Sequence, residues 1–214
     1  MKVVLLHAFP LDERMWSPQQ AVLEGHDVLA PNLYDLGGSS IDLWAEAILD
    51  GLDDVLVAVG ASMGGYVALA LARAAPEQVR GLLLAGSRAG ADSPERRAAR
   101  DDSIRLLREE GIEAWGKTAP APPPPERTLD ELVRTTEALR DRRDATDVVR
   151  AFPGPLALVV GDQDEILSVD EAREIAASAP DGRLYVFEGA GHFTSIDRPK
   201  RFNEILTGLL EAAG

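Results

Sequence analysis

A serine in a glycine-rich turn, a histidine near the end of the chain and a carboxylate between them could together carry out acyl transfer. The serine is Ser62, in Val59-Gly60-Ala61-Ser62-Met63-Gly64-Gly65. Gly60 to Gly64 reads G-x-S-x-G and lies between the apolar run Val55–Val59 and a helical pattern. That is where a sharp strand-to-helix turn lifts a nucleophile clear of a sheet. The apex of such a turn has strained backbone angles, and glycines two residues before and after remove the side chains that would clash. The helix that follows presents its N-terminus, which favours negative charge.

A serine hydroxyl is a poor nucleophile until a base takes its proton, and the base needs a third group to orient it. The chain has three histidines, and His7 and His26 both precede the serine. His192, in Glu188-Gly189-Ala190-Gly191-His192-Phe193, follows the last strand-like run on a loop that can carry an imidazole over the sheet end, so it is the expected base. The acid should close an intervening strand. Leu156–Val160 leads into Gly161-Asp162-Gln163-Asp164-Glu165, whereas Gly81–Ala85 leads into Gly86-Ser87-Arg88, which has no acid. Composition leaves Asp162, Asp164 and Glu165 equivalent. Serine, then acid, then histidine is the hydrolase order of these groups. Two backbone donors should receive the developing oxyanion: the N–H of Met63, next to the nucleophile, and that of Phe9, in the loop after the first strand.

The elements that must position these groups alternate along the chain. Strands are expected at Val3–Leu6, Asp27–Ala30, Val55–Val59, Gly81–Ala85, Leu156–Val160 and Leu184–Phe187, several of them apolar without alternation, as in a sheet covered on both faces. Helices are expected at Ile41–Leu49, Gly64–Ala74, Val169–Ala179 and Lys200–Ala212. Strands alternating with helices read as an α/β fold with a parallel sheet. Between Ser87 and Ala151 the rhythm stops: charged helical stretches flank Pro120-Ala121-Pro122-Pro123-Pro124-Pro125, which cannot be helical and reads as a polyproline spacer. Leu129, Leu132, Val133, Thr136 and Leu139 then fall on one helical face. The expected organisation is a core of residues 1–86 and 152–214 with a helical cap of residues 87–151.

Composition excludes several other chemistries. The 214 residues include no cysteine, hence no disulfide, thiolate metal site or cysteine nucleophile. No dinucleotide fingerprint, phosphate loop or metal-ligand cluster appears, so no cofactor and no metal is expected. A net charge of −14 disfavours nucleic acid and anionic membranes. The apolar start is too short for a signal peptide and no segment reaches the length of a membrane span, so a cytoplasmic protein acting on a small molecule is expected. Oligomeric state has no signature, although an unprotected first edge strand could pair with a second chain.

Together these residues resemble the α/β-hydrolase fold family over nearly the whole chain, in particular a bacterial esterase or enol-lactonase-like subgroup. Leu5-Leu6-His7-Ala8-Phe9-Pro10-Leu11-Asp12 is similar to the family's strand and His-Gly loop, Pro31-Asn32-Leu33 with Gly37 and Ser39 to its second loop, and Gly189 to Phe193 to its histidine loop. Pro199 and Phe202 match the helix that usually follows, and Leu139 to Asp144 resembles the subgroup's cap exit. Gly161-Asp162-Gln163-Asp164 resembles the family's G-x-x-D, and that resemblance selects Asp164 as the acid. Ala8 and Asp35 stand where the family has glycine, and the chain begins at the family's third strand. The resemblance therefore implies a trimmed, mostly parallel sheet of about six strands flanked by helices, with a small helical cap. It also implies a serine hydrolase cleaving a small carboxylic ester or lactone through acyl-Ser62. C–C bond hydrolases, cofactor-free haloperoxidases and slow-turnover receptor or partner-binding modules share the fold and are the alternatives. Candidate pocket residues are Phe9, Met63, Trp115, Phe193 and Leu129, while Trp16 and Trp44 read as packing residues.

Overall fold

A computed structural model describes all 214 residues. Strands β1 (Lys2–Leu6), β2 (Asp27–Leu29), β3 (Leu56–Ala61), β4 (Val79–Ala85), β5 (Leu156–Gly161) and β6 (Gly182–Phe187) form one sheet. Their order is β2-β1-β3-β4-β5-β6, and every neighbouring pair is parallel. The expected sheet of about six strands is therefore present, and it is parallel throughout. From β1 the chain adds β2 on one side, then crosses back to place β3 on the other. The strand C-termini diverge at that reversal, which leaves a crevice where α/β sheets hold their ligands.

Strand side chains alternate between two cores. Val4, Leu6, Leu56, Ala58, Leu82 and Leu84 face α1 (Ile41–Leu49), α2 (Met63–Ala74) and α6 (Val169–Ser178). Val3, Leu5, Val57, Val59, Leu83 and Ala85 face a 3-10 helix (Glu13–Leu23) and α8 (Pro199–Ala213). Trp44 fills the first layer, and Trp16 packs against Phe202 in the second, both as core residues. The 3-10 helix is an addition to the expected elements. Asp12 caps its start, and Pro18 inside it removes an amide donor and biases Ser17 away from α geometry, so the segment shows no helical signature.

Between β4 and β5 the chain forms α3 (Pro94–Gly116), α4 (Leu129–Asp141) and α5 (Thr146–Ala151), with no strand. Ser93 caps α3, and Pro94 occupies its first turn. Gly111 (φ 82) breaks α3 into two segments. Thr128 and Glu131 form a reciprocal capping box at the start of α4. Leu132, Val133, Thr136 and Leu139 are buried as their spacing requires, but Leu129, in the first turn, is 36% exposed. The insert's Ile104, Leu107, Trp115 and Leu132 join the same apolar cluster as α2, so its core is continuous with that of the sheet. No helix is long and apolar enough to cross a membrane.

A buried ion pair joins the chain entering α3 to the chain leaving α4. Asp92 and Arg142 have side chains only 1% and 2% exposed, with Arg142 Nη1 2.7 Å from Asp92 Oδ1. The guanidinium directs its hydrogen bonds to the carbonyls of Leu139 (2.8 Å) and Gly90 (3.1 Å), so its contact with Asp92 is ionic without an aligned hydrogen bond. It also lies 4.1 Å from the centre of the Tyr66 ring. Removing Arg142 leaves the buried Asp92 carboxylate with only a longer contact, to Arg100 Nε at 3.4 Å. Arg142→Met should therefore lower unfolding free energy by about 3–5 kcal/mol, and Arg142→Met with Asp92→Leu should recover much of that loss, as measured by urea denaturation.

Candidate active site

Ser62 occupies the turn between β3 and α2 at φ 48, and it is the only non-glycine residue with positive φ. Its neighbours show why the turn needs glycine. A Cβ on Gly60 would lie 2.3 Å from the Gly64 carbonyl carbon, one on Gly64 would lie 1.9 Å from the Leu6 carbonyl oxygen, and one on Gly65 would lie 2.0 Å from Ser87 Oγ. The turn is also held from beside: Ser62 N–H donates to Ala85 O (2.7 Å), and the buried Ser87 hydroxyl lies 3.0 Å from Ser62 O. The loop after β4, which offers no acid, thus braces the serine.

His192 Nε2 lies 2.8 Å from Ser62 Oγ. On the other side of the ring, Nδ1 lies 2.9 Å from Asp164 Oδ2 and 3.0 Å from Oδ1. The carboxylate cannot donate when ionised, so Nδ1 carries the proton and Nε2 is left to accept from the serine. The histidine loop and the acid loop press against each other at Gly161, where a Cβ would lie 2.1 Å from Ala190 O. Gly86 likewise leaves room for the His192 ring, which a Cβ there would approach to 3.0 Å.

Of the three carboxylates that composition left equivalent, only Asp164 meets His192. Asp162 instead accepts from the Gly189 N–H (2.8 Å) and so shapes the histidine loop. Glu165 has no polar contact with the ring. Burial pushes the Asp164 carboxyl towards higher pKa, but hydrogen bonding and charge from His192 and the amides of Ile166 (2.8 Å) and Leu167 (3.1 Å) outweigh it, and the net shift is downward. Arg88, after β4, donates to Ile166 O and pairs with Glu171 on α6 (3.1 Å), which fastens the acid loop from outside.

Two amides, of Met63 and Phe9, are the expected donors to an oxyanion. Met63 N–H opens α2 and has no intrahelical acceptor. Phe9 N–H makes no hydrogen bond within the protein. Its orientation is set by His7, whose Nδ1 lies 3.1 Å from Ala8 O while its Nε2 accepts from Leu33 N–H at 2.9 Å. This fixes His7 as the Nδ1–H tautomer. Holding the Ala8 carbonyl on one side of a trans peptide turns the Phe9 N–H to the other. Ala8 itself is fully buried, and its N–H meets Met15 Sδ at 3.2 Å, so a residue larger than glycine is accommodated there.

A cavity of about 370 Å³ opens on Ser62 and is walled by Phe9, Tyr66, Trp115, Leu139 and Ile166 together with α3 residues. Phe9 and Trp115 were expected here; their rings meet at 5.4 Å. Three other expected pocket residues lie elsewhere. Met63 side chain is buried in the core and offers the site only its amide. Phe193 packs edge-on to His192 and against the α8 layer. Leu129 sits on the outer first turn of α4, away from the lining. Tyr66 and Ile166 were not anticipated. Tyr66 is four residues after Ser62 and therefore on the same helical face, a spacing that could have found it. No group of three or more His, Asp or Glu side chains is arranged to hold a metal ion.

Residues 3–205 match the model of the Alpha/beta hydrolase family. The chain is 29% identical to a pimeloyl-[acyl-carrier protein] methyl ester esterase of Aromatoleum aromaticum, over 92% of this chain and 93% of that protein. It is 27% identical to a 2-hydroxymuconate semialdehyde hydrolase of Pseudomonas putida, over 87% of this chain and 77% of that protein. Among solved structures, a thermophilic esterase from Thermogutta terrifontis superimposes with a TM-score of 0.86 at 26% identity, covering 100% of this chain and 90% of the other.

The buried His7 gives a stability signature. Burial lowers its pKa to about 4, against the opposing effects of the Ala8 carbonyl and Asp12. The unfolded chain takes up this proton first, so stability should fall as pH drops from about 6.5 towards 4 and the contribution of His7 should level off below that. Roughly 3 kcal/mol is at stake. Urea unfolding across this range should show a steeper decline in wild type than in His7→Gln.

Proposed function

The chain belongs to the Alpha/beta hydrolase family, and from that premise we propose that it hydrolyses a small carboxylic ester or lactone through an acyl intermediate on Ser62. The observation that carries this reading is the unbroken relay from Ser62 Oγ through His192 to Asp164, with contacts of 2.8 and 2.9 Å. Ser62 Oγ attacks the acyl carbonyl as His192 Nε2 takes its proton. Asp164 keeps the imidazole in the required tautomer and stabilises the imidazolium that forms. The tetrahedral oxyanion receives hydrogen bonds from the Phe9 and Met63 amides. As the intermediate collapses, His192 returns its proton to the departing alkoxide, leaving the acyl-serine. Water then attacks, again giving its proton to His192. Ser62 Oγ departs with that proton, and the carboxylic acid is released. Residues 87–151 act as a cap that walls the acyl group from solvent, and a cavity of about 370 Å³ suits a short acyl chain.

The esterase similarities favour C–O cleavage. The likeness to a 2-hydroxymuconate semialdehyde hydrolase supports a second reading, in which the same three residues cleave a C–C bond. A panel of p-nitrophenyl esters, lactones and ring-cleavage diketones separates the two by which class turns over.

A fluorophosphonate probe should label wild type once, at Ser62, and should fail to label Ser62→Ala or His192→Ala. Asp164→Asn should lower kcat by about 10⁴-fold, because the amide supports the wrong tautomer. Asp162→Asn should stay within about tenfold of wild type. If the two aspartate variants exchanged these effects, the acid role would move to Asp162.

A further inference from the structure

The cavity wall contributed by α3 carries one cation whose terminal nitrogens have no partner in the protein. Arg100 lines the same cavity as Ser62. Its one protein hydrogen bond runs from Nε to Asp92 Oδ2 and is long, at 3.4 Å. Asp92 is already paired with Arg142 at 2.7 Å, so two guanidiniums share a single carboxylate and the cluster keeps a net positive charge. The other polar side chains on the insert's wall are satisfied. Asp102 is paired with Arg105 at 2.6 Å, Ser103 Oγ accepts from Trp115 Nε1 at 2.7 Å, and Thr118 Oγ1 donates to Trp115 O at 2.9 Å. Asp102 and Arg100 are the two charged lining residues, and Asp102 is neutralised by its own neighbour. An uncommitted guanidinium in the reaction cavity of a protein with net charge −14 runs against the charge of the whole molecule.

Resting on the ester-hydrolase reading, we propose that Arg100 is a specificity residue that anchors a carboxylate borne by the acyl part of the substrate. The substrate class would then be monoesters of short dicarboxylic acids, or lactones that keep a free carboxylate. A guanidinium fork matches a carboxylate with two parallel hydrogen bonds, and the Nη1 and Nη2 groups of Arg100 are the donors available for it. The remaining walls, Phe9, Trp115, Leu139 and Ile166, suit the methylene chain between that carboxylate and the scissile carbonyl.

Two isosteric substrates test this: the mono-p-nitrophenyl ester of glutaric acid and p-nitrophenyl 5-methylhexanoate, which replaces the carboxylate by an isopropyl group. In Arg100→Met the ratio of kcat/KM for the charged over the uncharged ester should fall at least tenfold, mainly through KM of the charged ester. Arg100→Lys should restore part of it. The ratio is internal to each variant, so a general loss of activity does not disturb it, and an unchanged ratio overturns the proposal. Calorimetric titration of glutarate into Ser62→Ala gives a readout without turnover. Adding Arg100→Met should weaken binding about tenfold, and equal binding by both proteins, or none by Ser62→Ala, overturns the proposal. If neither ester is hydrolysed, the ester-hydrolase reading fails and the glutarate titration alone decides the role of Arg100.

Discussion

The site depends on a serine being held at φ 48, in backbone space that side-chain-bearing residues avoid. Such a conformation costs on the order of 1–3 kcal/mol and persists only if the surroundings fix it. Here the surroundings are backbone packed too closely for any Cβ: Gly60 against Gly64, and Gly64 against Leu6 O. The same approach draws α2 under the turn and β1 alongside it. The Met63 amide and the Phe9 loop are therefore brought to one place by the contact that strains Ser62. In the mechanism we propose, nucleophile and anion site are two consequences of one packing constraint.

A second close approach does for His192 what the first does for Ser62. At Gly161 the acid loop and the histidine loop run backbone against backbone, and Gln163 N–H donates to Ala190 O at 3.0 Å. Gly191 N–H is held by Asp197 (2.9 Å), and Arg198 binds the Glu188 and Gly189 carbonyls. The imidazole is thus located by a hydrogen-bonded loop pair, and its reach to Ser62 does not rely on the serine. Gly86 then clears the space the ring occupies.

These constraints explain what could be read from the sequence. Glycine at a forced contact leaves a mark, so Gly60, Gly64 and Gly189 to Gly191 pointed to the turns, and the turns pointed to Ser62 and His192. Residues alone did not separate Asp162 from Asp164. Both sit in one loop, and which carboxylate faces the ring is decided by the amides of Ile166 and Leu167, whose contribution has no sequence signature. The sheet was legible because two apolar faces make near-continuous runs. The pocket was not. Phe193 and Leu129 have the right character for it, but one turns into the α8 layer and the other sits outside the packed face of α4. Pocket membership depends on how α3 and α4 lie over the sheet, and that is set by tertiary packing such as the Asp92–Arg142 pair.

The two histidines near the site show how the same side chain takes opposite roles according to its partners. His7 meets backbone groups on both ring nitrogens, an acceptor at Nδ1 and a donor at Nε2. A protonated ring would lose the Leu33 amide as a partner and place a charge at full burial, so the neutral form is locked and the ring works as a fixed spacer behind the Phe9 peptide. His192 meets a carboxylate at Nδ1 and a hydroxyl at Nε2. The hydroxyl can give up its proton, and the carboxylate can compensate the charge that results. Asp164 can do so because its amide and imidazole donors keep it ionised against the cost of burial. In the mechanism we propose, proton movement is therefore confined to the one imidazole with an anion behind it, while the other holds the Phe9 amide in place throughout.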